Sequence, residues 1–73
     1  MKIYDFDADK FGRFLKYKTK DITQKKVAES VNMSQSKISR LIYTKDSVLS
    51  VRDFLRLCEF MEVEPDLFFY EVR

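Results

Sequence analysis

Between Thr23 and Ile42 the chain reads TQKKVAESVNMSQSKISRLI, and the spacing in this stretch constrains the fold more than any other feature. Val27, Ala28 and Val31 fall on one side of a helix, and Ile38, Leu41 and Ile42 do the same a few residues later. Thr23 has the short oxygen-bearing side chain of a helix N-cap, and Ser34 has it again. Between them, Asn32 tolerates the left-handed backbone that a sharp helix-to-helix corner demands, and Met33 can tuck into that corner. The stretch therefore predicts a helix over 24–31, a turn, and a helix over 35–43. Two short helices joined in this way outline a helix-turn-helix.

The rest of the chain supplies partners for that pair. One Gly and one Pro in 73 residues leave little material for the tight turns of a many-stranded sheet, so helices are expected throughout. Asp7 can cap a first helix over 8–18, with Phe6 as a hydrophobic staple in front of it. Phe11, Phe14 and Leu15 share one side of that helix, and Gly12 within it marks a close approach to a neighbour. The TKD at 19–21 breaks the pattern, and TKDSVL at 44–49 reads as a loop. Ser50 followed by Asp53 resembles a capping pair that opens a helix over 51–61, with a core stripe of Phe54, Leu57, Cys58 and Met61. Pro65 suits the first position of a fifth helix over 65–70. Residues 1–7 are left as an N-terminal arm or a brief extended segment packing on the domain. The expected fold is all-α, a single compact domain of five short helices spanning 1–73.

Several function classes are hard to build from these residues. A chain of this length has room for one small core. It contains no His and one Cys, so neither a structural zinc site nor an intrachain disulfide is expected, and lone Cys58 at core spacing reads as a packing residue. No nucleophile with a base and no glycine-rich phosphate loop is present, so an enzyme, a cofactor and a small-molecule substrate are not expected. No apolar run reaches the length of a membrane span and no signal peptide opens the chain, which together with the reduced cysteine suggests a cytoplasmic, nucleoid-associated location. The net charge of +2 hides a strong asymmetry: residues 1–45 hold 11 Lys/Arg against 5 Asp/Glu, and residues 46–73 hold 3 against 7. One part of the molecule is suited to an anion and the other is not.

The third helix points to which anion. With Ile38 taken as zero and about 100° per residue, Leu41 and Ile42 lie close to it, whereas Ser36, Ser39, Arg40 and Tyr43 lie between roughly 100° and 200°. These four form a continuous polar stripe opposite the core, and Gln35 stands at the helix N-terminus. Arg makes a forked pair with guanine, Gln does so with adenine, and Ser is short enough to let a helix sit deep in the major groove. Gln35, Ser36, Ser39 and Arg40 are the candidate base contacts. Thr23, Gln24 and Lys25, with the amides that open the second helix, can hold a phosphate. Lys37, Tyr43 and Lys45 complete the backbone contacts. The plainer alternative is a solvated polar face, with Arg40 pairing to Glu29 or Asp46.

From about Phe11 to Phe69 the chain resembles the Cro/repressor-type, lambda-repressor-like helix-turn-helix family of phage and bacterial regulators. The resemblance lies in ITQKKVAESVNMSQSKISRLI, with Thr23-Gln24, Val27-Ala28, Val31, Ser34, Ile38 and Leu41 in the family's places. FGRFLKY resembles its opening helix and LSVRDFLRLCEFMEVEPDLFF its final pair. The family's turn usually carries Gly where this chain has Asn32. The resemblance implies that Gln24 touches phosphate, that Gln35, Ser36 and Arg40 face bases, and that Lys37 lies near the backbone.

Two uses of such a molecule follow. The first is a sequence-specific transcriptional regulator of double-stranded DNA, acting as a homodimer on two half-sites about 34 Å apart. The second is a phage antirepressor or modulator that binds a repressor protein, with the acidic second half meeting a basic surface. Phe60, Phe68, Phe69 and Tyr70 are the candidate protein interface, because the end of the chain is more aromatic than one small core needs.

Overall fold

The computed structural model describes residues 1–44 and 49–72, and the helices fall where caps and periodicity put them. In chain order they are α1 (Ala8–Lys18), α2 (Gln24–Val31), α3 (Gln35–Tyr43) and α4 (Val51–Met61). Each start is closed by a side chain that accepts an otherwise orphaned amide. Asp7 accepts from the Lys10 N–H, Thr23 from Lys26, Ser34 from Lys37 and Ser50 from Asp53, all at 3.0–3.1 Å.

Two helix ends are also alike. Asn32 after α2 has φ 58° and Glu62 after α4 has φ 59°. In each, the next residue bonds back across the last turn, Met33 N–H to Ala28 at 2.9 Å and Val63 N–H to Cys58 at 3.0 Å. This is the Schellman arrangement, which satisfies the last carbonyls and drops the following apolar residue onto the core. Met33 and Val63 both pack there.

The chain's two ends depart from the expected all-α, five-helix fold. Of the two readings of the N-terminal residues, the brief extended segment holds: Tyr4–Phe6 forms a strand, β1, paired antiparallel with β2 (Phe69–Glu71), with Phe6 opposite Phe69. Pro65–Phe68 makes only a 3-10 turn, so the fifth helix over 65–70 is replaced by a turn and a strand. Such turns rarely run beyond three or four residues, and Phe69 is already extended at φ −118°, ψ 146°. The Phe68 carbonyl, which a helix would have used internally, instead accepts the Asp7 N–H at 2.8 Å. Aromatic residues also favour the pleated, half-buried setting of a strand.

The core runs between these regions. Leu15, Val27, Ala28, Val31, Ile38, Leu41 and Ile42 form an aliphatic part under α2 and α3. Phe11, Phe54 and Phe68 form an aromatic part under the sheet, joined by Phe6, Phe14 and Phe69. Leu57, Cys58 and Met61 of α4 are buried with them. Gly12 is buried on α1. Among the described residues, no helix is long and apolar enough to cross a membrane.

Candidate nucleic-acid interface

Helix α3 separates its two faces as its sequence demands. Ile38, Leu41 and Ile42 are buried, while Gln35, Ser36, Arg40 and Tyr43 are exposed. Ser39 is half-buried at the margin of the stripe. Three of the four candidate base contacts, Gln35, Ser36 and Arg40, are thus exposed on one short helix, and Tyr43, 61% exposed, extends the stripe to its C-terminal end. The Thr44 hydroxyl donates to the Arg40 carbonyl at 2.6 Å and closes that end.

At the start of α2, Thr23 and Lys25 are exposed and Gln24 is half-buried. The Thr23 oxygen accepts from the Lys26 amide, which leaves its own proton and the amides of Gln24 and Lys25, in the first turn, directed beyond the helix end. That end carries a partial positive charge and suits a phosphate. Lys45 lies outside the described residues.

Lys37 makes a contact across to α4. It is half-buried, and its ammonium lies 3.8 Å from the Asp53 carboxylate on α4. It therefore ties α3 to α4, and the carboxylate offsets part of its charge. Ser50 caps the same turn that carries Asp53, so the carboxylate sits at a helix N-terminus that also stabilises it.

Two lysines that sequence reasoning missed stand beside the stripe. The Lys16 ammonium lies over the Tyr43 ring at 5.5 Å from its centroid, and the Lys20 ammonium over Tyr17 at 4.8 Å. With Thr19, Ile22, Gln24, Ile42 and Tyr43 they line a bay of about 260 Å³. The available signal was the run from Lys10 to Lys26, seven Lys/Arg against Asp21 alone, but its link to Tyr43 depends on how α1 meets α3.

The proposed protein interface is reapportioned. Phe68 is not available to a partner: it is 0% exposed, with its ring 4.9 Å from Phe11 and 5.5 Å from Phe14. The change from 3-10 turn to strand at this point turns Phe68 inward and leaves Phe69 at the surface. Phe60 is half-buried and packs against the core. Phe69 and Tyr70 are 44% and 47% exposed. Phe69 adjoins Leu49 and exposed Val51 around a shallow apolar cavity of about 200 Å³, and Leu55 is exposed one turn further along α4.

The ionisable groups add little chemistry. Burial pushes the Cys58 thiol up to about 11, so it stays protonated and unreactive at neutral pH. The negative charge of Asp5, whose carboxylate lies 3.5 Å from the Tyr70 hydroxyl, raises the phenol above its ordinary range. Among the described residues no group of three or more His, Cys, Asp or Glu could hold a metal ion. Comparison with protein-family models, with curated proteins and with solved structures gives no match.

Proposed function

We propose that this chain is a sequence-specific DNA-binding regulator of the Cro/repressor type, with α3 as the helix that enters the major groove. The observation that carries the reading is the division of α3. Its apolar residues hold it to the core, while Gln35, Ser36 and Arg40 stand outward at the end and along the side that groove-reading helices use. The cation-rich surface of α1 and the opening of α2 supplies the sequence-independent attraction. A single helix of this length reads few base pairs, so two copies on two half-sites are part of the proposal. The apolar patch of Val51, Leu55 and Phe69 supports such pairing, since a symmetric contact favours an uncharged, self-complementary surface.

Selection of bound duplexes from random DNA tests the reading. An enriched, two-fold related sequence is expected, with affinity falling steeply as salt rises. Arg40→Ala should then lose about 1–3 kcal/mol of preference for the selected site. Lys25→Ala should weaken selected and unrelated duplexes alike. Absence of any duplex binding at low salt would sink the proposal.

A second reading, a modulator that binds a repressor protein, is favoured by one observation. Glu59, Glu62, Glu64 and Asp66 are all exposed around the end of α4 and the turn after it. Charge reversal at these positions that abolishes activity, with Arg40→Ala and Lys25→Ala silent, would select it.

A further inference from the structure

We infer that the bay between the end of α1 and the end of α3 seats the phosphodiester backbone of duplex DNA, with Lys16 and Lys20 as its cations. The inference rests on the DNA-binding reading and extends it to a helix outside the helix-turn-helix.

Three observations carry it. The first is continuity. The bay is bordered by Tyr43, which ends the outward stripe of α3, and by Gln24, which opens α2. A strand passing from one of these surfaces to the other crosses it. The second is the state of the two ammonium groups. Each rests on an aromatic ring, and the ion pairs shown among the described residues are Arg13–Asp9 and Lys37–Asp53. Contact with a ring leaves the positive charge and the N–H donors in place, unlike pairing with a carboxylate. It also holds a flexible side chain near one position, which lowers the ordering cost when an anion arrives. The third is the lining. Ile22 and the Tyr43 ring present apolar surface, while the lysines and the Gln24 amide supply donors. A backbone segment has that same pairing of chemistry, an apolar deoxyribose face between anionic phosphates.

The lysines therefore act as sequence-independent anchors beside the groove that α3 reads. Each neutralised phosphate contributes about 0.9 to the slope of log affinity against log salt.

The test compares the full chain with the Lys16→Gln/Lys20→Gln double variant, against a Lys2→Gln/Arg56→Gln control that removes equal charge outside the bay and outside the cationic run of α1 and α2. Both pairs are on the surface or half-buried, and melting curves will verify folding. The bay variant should reduce the salt slope by about two and weaken every duplex on the order of 50-fold at 0.1 M salt, while the control changes far less. Ethylation of backbone phosphates beside the α3 site should interfere with the parent chain and lose that interference in the bay variant. Equal effects from both pairs, or an unchanged slope in the bay variant while the parent binds, would overturn the bay alone. A parent chain that binds no duplex would overturn both the bay and the regulator reading.

Discussion

The α2–α3 pair and the paired ends of the chain are held by different kinds of contact. The α2–α3 pair is built from aliphatic residues close in sequence, Val27, Val31, Ile38 and Leu41, with caps at both helix starts and a left-handed Asn32 at the corner. The other end of the molecule joins Tyr4–Phe6 to Phe69–Glu71 across nearly the whole chain. Its three-residue strands make few hydrogen bonds, so a ladder of that size is marginal without packing. The packing comes from Phe6, Phe11, Phe54, Phe68 and Phe69, whose rings meet at tilted and edge-on angles with centroids 4.9–6.2 Å apart. One region is specified locally and the other by long-range aromatic contact. A single small domain needs both, because the surface its helices bury alone is modest.

The largest expected effect falls on the long-range region. Phe68→Ala removes a fully buried ring and should cost about 3–5 kcal/mol, a large part of the stability expected for a chain of this size. Phe69→Ala, at a half-open surface, should cost far less. Thermal melting of the two variants reads the difference directly. Similar midpoints would mean that the aromatic seam is not what closes the domain.

That contrast also explains what could be read in advance. The bounds of α1 to α4 were legible because capping residues and helical apolar spacing are local signals, carried by Asp7, Thr23, Ser34 and Ser50. The sheet was not. YDF and FYE are too short to show a two-residue alternation, and each becomes a strand only because the other lies beside it. The same blindness misassigned Phe68, whose burial depends on where the 3-10 turn gives way to β2. In the candidate site, the outward stripe of α3 followed from helical geometry alone. The approach of Lys16 to Tyr43 did not, because it joins two elements, and the pairing of Lys37 with Asp53 escaped for the same reason.

Helix α4 belongs to both regions, and Cys58 on it gives a pH-dependent probe of their joint. Its thiol is raised from 9.0 to about 11 in the folded chain. Between those values the unfolded chain releases the proton while the folded chain keeps it, so stability falls as pH rises. The loss should be on the order of 1 kcal/mol at pH 10. Cys58→Ala should lack this increment, and the difference between the two melting profiles from pH 8 to 11 isolates it. Parallel profiles would mean that the thiol is solvated and the joint is loose.

The two left-handed helix ends offer a smaller comparison. Asn32 and Glu62 have the same backbone geometry, and both have a Cβ that crowds the following carbonyl, but the short polar side chain of Asn offsets that crowding better than the longer one of Glu. Glu62→Gly should therefore stabilise the chain by about 0.5–1 kcal/mol, after the entropy that Gly gains on unfolding is set against the relieved strain. Asn32→Gly should change little. Denaturant titration distinguishes them, and an equal response would show that the two corners are strained alike.

The smallest expected effect concerns the ion pair that ties the two regions together. Asp53 lies in the first turn of α4, where a carboxylate favours the helix by about 0.3–1 kcal/mol, and its contact with Lys37 at 3.8 Å is partly solvent-screened. Asp53→Asn should lower stability slightly. Under the proposed function it should do the opposite to DNA affinity. With the carboxylate removed, the charge that Lys37 already carries is no longer offset, so the salt slope should steepen by up to about one and binding at low salt should strengthen. A stability loss accompanied by unchanged or weaker binding would mean that Lys37 serves only to fasten α3 to α4. In that case the backbone contacts of the helix-turn-helix would fall to α2 and to the bay beside Tyr43.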